Sequence, residues 1–392
     1  MAHSQHRTEY LSTFAWSASE NSIAYTAEGK PPKDKRDFFQ RFRFNPDFGE
    51  GLLNKRRPTT FILSWNADFT PFDDQKTFRV YELAIPAADA SVNGEPVRFG
   101  QFVFSPLSDN ILYATGYEFT YDGRMLGPLG CFNRPTGIWR IGFPPPVITT
   151  KNEQTSSHIL SATIVQKITR SDISCRSPRA VIRSDGTASV YWLGAPTGGP
   201  HISGTHLYSG DVAADKENDA SATVFPNFVQ VSSSISPTTS KAFPGLYTPY
   251  NLPSRPFISS SGSTSDFAVV QTQWGSRTVI VAINLKSRDV LDITGDASSI
   301  FSWHLLTTDG KETIVCSRSS PATPYEIVVG KLSGSGHVAW NVIDTPGLRD
   351  EGMWYSRFPK QLLIISQYGT ASKLSRLTLR LWVQVSEILR RS

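Results

Sequence analysis

The chain has 392 residues, of which 39% are hydrophobic and 19% are charged, and its formal net charge is +5. This length suffices for one large domain or two ordinary ones, and 26 prolines with 28 glycines favour a fold with many turns over a helical one. The basic residues lie in short clusters rather than in a sustained stripe interleaved with aromatic residues, which argues against nucleic-acid binding.

The spacing of the cysteines and the polar N-terminus indicate the cellular compartment of the protein. Cys131, Cys175 and Cys316 are odd in number, far apart and in no metal-type spacing, which is typical of reduced, partly buried thiols. No apolar signal core follows Met1, and no segment approaches the roughly 20 consecutive apolar residues that a membrane-spanning helix needs. We therefore expect a cytoplasmic protein that binds neither membranes nor nucleic acid.

One unit of sequence recurs along the chain. Its most complete copy begins at Phe99 with an apolar run, continues through a turn at Ser105 to a second apolar run, and ends with a third over Gly137–Phe143. Each run predicts a short strand. Four further copies also place a turn between two apolar runs: Phe14–Thr26, Ala180–Trp192, Phe257–Val270 and Trp303–Cys316.

Additional strands are expected outside these turns, in short segments rich in β-branched or aromatic residues. They are Thr59–Trp65, Thr77–Leu83, Thr205–Tyr208, Thr278–Leu285, Pro324–Val329, Gln361–Ser366 and Leu377–Val385. The acidic segment Ala213–Phe225 and the Ser/Thr/Pro run Ser232–Ser240 are interpreted as surface loops.

The recurrence of this unit, without any long amphipathic helix, favours an all-β fold of small stacked sheets. A β-propeller buries the faces of such sheets by radial stacking and leaves no long open edge. The spacing between the equivalent residues Val269 and Val315 is close to that of one four-stranded blade. We predict a propeller that is either seven-bladed or incomplete, and a pair of β-sandwiches is the alternative.

A search for motifs that carry chemistry finds none. The chain has no Gly-x-Ser-x-Gly elbow, no His-Glu-x-x-His, and no phosphate-binding or dinucleotide-binding glycine motif. Gly334–His337 is interpreted as a turn, and Gly194–Gly204 as a loop between blade strands. His206 and His304 are interpreted as histidines that pack in loops or at the edge of the core. No catalytic, cofactor-binding or metal-binding residue is assigned.

The segment Phe38–Phe44 has the most distinctive local composition, because four phenylalanines surround two arginines. One interpretation is a contact surface for a partner domain or peptide, since aromatic residues and arginine are enriched at such surfaces. The other is an ordinary strand with Phe38, Phe42 and Phe44 directed inward. Both interpretations stay open at this point.

Several segments together carry a family resemblance. They are Phe14–Glu28, Asp37–Phe39, Asp47–Glu50, Gly127–Pro135 with Ile138-Trp139, and Ser177–Arg179. These segments resemble the N-terminal propeller of acylaminoacyl-peptidase, a member of the prolyl oligopeptidase group of serine peptidases. The Cys-x-Asn-Arg-Pro and Phe-Gly-Glu segments are fairly specific to this family, and the resemblance extends to about Val342.

The resemblance implies a propeller that covers the mouth of an α/β-hydrolase domain and admits only short peptides, from which an N-acylated residue is removed. The catalytic Ser, Asp and His of the family lie in that hydrolase domain, which this chain is expected to lack. The chain alone is therefore expected to be inactive, with a hydrolase domain or short acylated peptides as partners and no cofactor. A propeller that does not close would expose a strand edge, so homo-oligomers are also expected.

The predicted boundaries are 1–368 for the propeller and 369–392 for a divergent C-terminal tail. This tail is either a strand that closes the propeller or an incorrect gene-model ending in place of the hydrolase half. Two functions stay open: a substrate-gating domain without catalysis of its own, and a stand-alone interaction scaffold of the WD-repeat kind. The lack of regularly spaced Trp-Asp and Gly-His dipeptides argues against the scaffold.

Overall fold

The structure is a computed structural model that describes residues 9–345 with gaps. The ranges outside it are 1–8, 30–38, 40–41, 43–46, 50–51, 54, 56, 66–77, 93–94, 148–157, 184–187, 213–228, 231–242, 259–266, 296–299, 334–335 and 346–392. The predicted strands at 361–366 and 377–385, the predicted loops at 213–225 and 232–240, and the proposed tail at 369–392 therefore lie outside the described residues.

The described residues form 23 strands and no α-helix. In chain order the strands are β1 (Phe14–Trp16), β2 (Ser22–Glu28), β3 (Pro58–Trp65), β4 (Phe78–Ala84), β5 (Ser91–Val92), β6 (Glu95–Pro96), β7 (Arg98–Phe104), β8 (Ile111–Tyr117), β9 (Thr136–Gly142), β10 (His158–Ser161), β11 (Ile164–Lys167), β12 (Ile173–Ile182), β13 (Ala188–Pro196), β14 (His206–Val212), β15 (Val229–Gln230), β16 (Phe257–Ile258), β17 (Phe267–Trp274), β18 (Arg277–Asn284), β19 (Val290–Asp292), β20 (Ser302–Thr308), β21 (Thr313–Ser320), β22 (Thr323–Leu332) and β23 (Val338–Asp344).

Five of the sheets follow one another along the chain. Sheet 1 has the strand order β1-β2-β3-β4-β10, sheet 2 is β7-β8-β9-β11, and sheet 3 is β12-β13-β14-β15. Sheet 4 is β16-β17-β18-β19 and sheet 5 is β20-β21-β22-β23, while β5 and β6 form a separate hairpin. Apart from β10, which runs parallel to β4, neighbouring strands are antiparallel. Each sheet is therefore built on a four-stranded antiparallel meander.

Hydrophobic clusters lie between consecutive sheets. Sheets 1 and 2 share a cluster around Ile62 and Trp139, and sheets 2 and 3 share one around Tyr113 and Trp192. Residues of sheets 3 and 4 form a third cluster, and those of sheets 4 and 5 form a fourth. Sheets 2, 3 and 4 thus bury both faces, whereas a sheet in a β-sandwich buries only one.

This arrangement of small meanders packed face to face in series is that of a β-propeller, so the predicted all-β propeller fold is confirmed. Five blades lie among the described residues, and a seven-bladed or incomplete ring stays a prediction. Apart from the strand interpretation of Phe38–Phe44, the predicted strands that fall on described residues are present. Sequence patterns missed the short strands at blade edges, such as β11 and β19, because two to four residues show no clear periodicity.

The turns of the first two copies are each stabilised by a serine. Ser17 Oγ accepts a hydrogen bond from Ser22 N at 3.1 Å, and Ser105 Oγ accepts one from Leu107 N at 3.1 Å. Side-chain hydroxyls that cap their own turns in this way favour the chain reversal between two strands.

Of the two interpretations of Phe38–Phe44, the strand with Phe42 directed inward is wrong at Phe42. Phe42 and Phe39 belong to no strand, and their side chains are 71% and 70% exposed. The other residues of Phe38–Phe44 lie outside the described residues. The run of alternating aromatic and basic residues fits a strand by pattern, but Phe39 and Phe42 occupy a turn in which the amide of Phe42 bonds to the carbonyl of Phe39.

Truncating a leucine in the core between sheets 1 and 2 tests this packing. Leu112 is fully buried, so Leu112→Ala should lower the free energy of unfolding by about 2 to 5 kcal/mol through lost burial and a residual cavity. Leu291→Ala on edge strand β19, where the side chain is 37% exposed, should cost less than about 1 kcal/mol. Chemical denaturation measures both, and equal losses would contradict the assigned core.

Thiol labelling tests the burial of the cysteines. Cys175 and Cys316 are buried and free, and Cys131 is half-buried and free. Burial raises the pKa of Cys175 to about 12 and also raises that of Cys316, so both stay protonated near neutral pH. Because the thiolate is the nucleophile, iodoacetamide at about pH 8 should modify Cys131 first in the native protein. Peptide mapping identifies the modified residue, and rapid native-state alkylation of Cys175 would contradict this expectation.

Candidate functional site

Two of the family-like segments meet at one cluster beside sheets 2 and 3. The aromatic cluster comprises Tyr10, Leu11, Phe48, Leu52, Tyr117 and Tyr250, with Met125 and Phe132 packed against it. Phe48 comes from the Asp47–Glu50 segment and Phe132 from Gly127–Pro135. Arg176, immediately before Ser177–Arg179, places its guanidinium carbon 4.5 Å from the centroid of the Phe132 ring. Segments that are far apart in sequence are thus adjacent in space.

Ring contacts hold the aromatic cluster together. The Tyr10 and Tyr250 centroids are 4.2 Å apart, Phe132 and Tyr250 are 5.2 Å apart, and Phe48 and Tyr117 are 5.8 Å apart. The phenol of Tyr117 donates to the carbonyl of Tyr10, and the phenol of Tyr250 lies 3.4 Å from that of Tyr117. Tilted and edge-to-face contacts of this kind add to the burial of the rings.

The loop Gly127–Pro135 is fixed in place by backbone contacts. A Cβ atom at Gly127 would lie 2.6 Å from the carbonyl oxygen of Phe48, so glycine is required where the two family-like loops touch. The amide of Phe132 donates to His201 O at 3.1 Å, and its carbonyl accepts from Ser174 Oγ at 2.9 Å. The loop therefore connects sheet 3 to the aromatic cluster.

Two bulged strands contribute polar groups beside this cluster. Gln101 on β7 and Ser177 on β12 have positive φ angles of 54° and 56°, and each lies at a register shift. Ser177 N donates to Gln101 Oε1 at 2.9 Å, and Thr115 Oγ1 donates to the same oxygen at 2.7 Å. Gln101 Nε2 donates to Glu9 O at 2.9 Å and also contacts Asn251 Oδ1. Bulges of this type redirect side chains that would otherwise pair within the sheet.

The segment 249–253 is anchored by three polar residues at the bulge of β12. Arg176 Nε donates to Tyr250 O at 3.0 Å, and Ser177 Oγ accepts from Leu252 N at 2.9 Å. Arg179 Nε donates to Pro253 O at 2.6 Å. The Ser-Pro-Arg segment of the family pattern thus serves to position this loop.

The charge state of the cluster follows from burial. Burial raises the pKa of Tyr250 to about 12 and raises that of Tyr117 well above its ordinary value, so both phenols are neutral at physiological pH. Burial lowers the pKa of Arg176, yet arginine stays protonated in proteins. The site therefore holds one buried positive charge among neutral hydrogen-bonding groups.

A small cavity of about 130 Å³ adjoins the same loop, between sheets 4 and 5. Asn251, Leu252 and Arg255 line it on one side, and Gln271 and His304 line it on the other. The Nδ2 atom of Asn251 also donates to Glu9 O at 2.9 Å, so segment 249–253 borders both the cavity and the aromatic cluster.

The two histidines and the Gly194–Gly204 segment lie outside the aromatic cluster. His206 is half-buried and makes an edge-to-face contact with Tyr208, as predicted for a packing residue, while His304 is exposed at the cavity. Gly194 lies within β13 rather than in a loop, which corrects that boundary; the loop begins after Pro196. Gly336 N donates to Ser333 O at 2.9 Å, while Gly334 and Ser335 of the predicted turn lie outside the described residues.

Sequence reasoning missed Arg176, Tyr10 and Tyr250 as members of a site. No local motif marks them. Among the described residues, no group of His, Cys, Asp or Glu has the arrangement of a metal site. None of the described segments forms a helix long and apolar enough to cross a membrane.

Comparison with known proteins identifies the family. The sequence profile described as "Acylamino-acid-releasing enzyme, N-terminal domain" matches residues 3–348. The chain belongs to this family. The resemblance seen in the sequence segments is therefore confirmed over most of the chain.

Similar curated proteins include two rice enzymes. Acylamino-acid-releasing enzyme 1 of Oryza sativa subsp. japonica is 24% identical over 86% of this chain and 43% of its own length. Acylamino-acid-releasing enzyme 2 of the same subspecies is 25% identical over 82% of this chain and 42% of its own length. The chain thus spans less than half the length of the curated relatives it matches.

Among solved structures, prolyl oligopeptidase B from Galerina marginata is 9% identical to the chain, with a TM-score of 0.43. The match covers 85% of this chain and 34% of that one.

Substituting Gly127 tests whether the two loops need their close approach. Gly127→Ala should lower the free energy of unfolding by about 1 to 3 kcal/mol, because the new methyl group would press against the Phe48 carbonyl. Gly204→Ala is the matched control, since its Cβ would meet only the Tyr247 ring at 3.5 Å or more. Thermal and urea unfolding measure both variants, and a neutral Gly127→Ala would contradict the loop geometry.

Proposed function

We propose that this chain is the substrate-gating propeller of a serine peptidase that removes N-acylated amino acids from short peptides. The observation that carries the proposal is the match of residues 3–348 to the N-terminal domain of acylamino-acid-releasing enzymes. The absence of a Gly-x-Ser-x-Gly elbow from the sequence agrees with a role other than nucleophilic catalysis. The partners in this proposal are a hydrolase domain and short acylated peptides.

Gating by a propeller follows from the rigidity of its blades. Sheets with both faces buried hold a fixed shape, and loops at their ends can then set the size of what passes. The anchored loops Gly127–Pro135 and 249–253 are suited to this purpose, since backbone and arginine hydrogen bonds hold them. A gate of this kind selects substrates by length without chemistry of its own.

A chimera tests the proposal. Residues 1–348 would replace the matching N-terminal domain of rice acylamino-acid-releasing enzyme 1, and the hydrolase portion without a propeller would serve as control. The chimera should release acetylalanine from a short acetylated peptide but not from an acetylated folded protein. The control should lose this size selection.

The isolated chain should hydrolyse neither acetyl-alanine p-nitroanilide nor an acetylated peptide. Turnover by the isolated chain that survives repurification and serine-peptidase inhibitor controls would overturn the non-catalytic assignment. A folded chimera that cleaves peptide and protein alike would overturn the gating role.

A further inference from the structure

Arg176 carries a buried charge with unused donors. Its side chain is among the largest that are fully buried, with 1% exposure, and only Nε has a hydrogen-bond partner, Tyr250 O. Nη1 and Nη2 are buried and have no partner among the described residues. Burying a guanidinium costs several kcal/mol unless an anion or further hydrogen bonds compensate it.

A second arginine of the same chain, Arg318, also stacks on two aromatic rings and has a carboxylate partner. The guanidinium carbon of Arg318 lies 4.5 Å from the centroid of Phe301 and 5.3 Å from that of Trp303. Its Nε also pairs with Glu326 at 2.8 Å. Arg318 therefore combines two aromatic rings with one carboxylate.

Arg176 has the two aromatic rings but lacks the carboxylate. Its guanidinium carbon lies 4.5 Å from the Phe132 centroid and 5.2 Å from the Tyr250 centroid, which is nearly the geometry of Arg318. No carboxylate of the described residues forms an ion pair with it. The two Nη groups form a planar fork whose preferred ligand is a carboxylate, bound through two parallel hydrogen bonds.

We propose that Arg176 binds the C-terminal carboxylate of a short peptide that has entered the propeller. The assignment of a peptide as ligand rests on the proposed gating function, whereas the carboxylate site rests on the geometry alone. The neutral phenols of Tyr117 and Tyr250 lie beside Arg176 and do not repel an anion, while their own hydroxyl protons are directed to the Tyr10 carbonyl and to the Tyr117 oxygen. A fixed carboxylate anchor would favour peptides whose length matches its distance from the reacting bond.

Glu9 and Tyr10 form a turn beside this cluster. Glu9 is exposed, whereas Tyr10 is 6% exposed, lies against Tyr250 and accepts a hydrogen bond from Gly130 N at 3.3 Å. A carboxylate that enters from this side would therefore displace the Tyr10 side chain. Glu9 is the acidic residue whose charge interacts with Arg176, so its carboxylate should compete weakly with a ligand.

Calorimetric titration of the full chain tests the site directly. Acetyl-trialanine with a free C-terminus should bind about tenfold or more tightly than its C-terminal amide, because the amide removes the charge-assisted hydrogen bonds. An acetylated tripeptide amide with a central glutamate distinguishes a side-chain carboxylate from a terminal one. Equal binding of acid and amide, or no binding of either up to about 10 mM, would overturn the proposal. Equal binding of the glutamate peptide would overturn the specificity for a C-terminus.

Matched arginine variants identify the residue responsible. Arg176→Met should abolish the preference for acid over amide, and Arg176→Lys should retain only part of it, since lysine keeps the charge but not the fork. Arg318→Met, which removes an equally stacked but paired arginine, should leave the preference unchanged. Circular dichroism and thermal unfolding verify that each variant is folded. A preference that persists in folded Arg176→Met would overturn the assignment.

Glu9→Gln provides a test that does not alter the buried arginine. Removing the competing carboxylate should tighten binding of the free acid by at most about fivefold and leave the amide unchanged. Weaker binding of the acid would contradict the position assigned to the ligand. If carboxylate binding depends on Arg176 but the chimera shows no size selection, the carboxylate site is supported and the gating function is not. If the chimera selects by size but the chain binds no carboxylate, the gating function is supported and the carboxylate site is not.

Discussion

The burial of both faces of the central sheets is the constraint on which the rest of the structure depends. Strand β8 is buried along its whole length, and β13 is buried at every residue but its last. Neighbouring residues on such a strand serve two different cores: Val190 and Trp192 pack toward sheet 2, while Tyr191 and Leu193 pack toward sheet 4. A polar residue in these strands must therefore find partners on one side or the other, and the strand ends and bulges are where it does so.

The bulges at Gln101 and Ser177 place polar groups beside the aromatic cluster. Both residues adopt the left-handed conformation, which costs free energy for residues other than glycine, and both are held there by a shared hydrogen-bond network. The same irregularity turns Ser177 and Arg179 toward segment 249–253. The backbone strain is thus located in the two strands that hold segment 249–253 beside Arg176.

Much of the fold could be predicted from the sequence, whereas the candidate site could not. Turn serines such as Ser17 and apolar runs such as β18 act locally, so a short window contains the information. The cluster depends on contacts such as Asn251 with Glu9, which are 242 residues apart, and no window contains both. At Phe42 a local pattern was misleading: the surrounding residues alternate as in a strand, but the Phe42 side chain is exposed in a turn. The family-like segments were recognised individually, but their meeting around Arg176 needed the three-dimensional packing.

The parallel pairing of β10 with β4 has a consequence for how the stack comes apart. The chain leaves sheet 2 after β9, adds β10 to the outer edge of sheet 1, and returns to sheet 2 as β11. Sheets 1 and 2 are consequently linked by an exchanged strand, whereas among the described strands each later pair of sheets is joined by one crossing of the chain. Pulling the first two blades apart requires one of these edge strands to detach, with the loss of its ladder of hydrogen bonds. Slow local opening should therefore occur mainly between sheets 2 and 3, 3 and 4, and 4 and 5. Blades 1 and 2 should behave as one cooperative unit in hydrogen exchange.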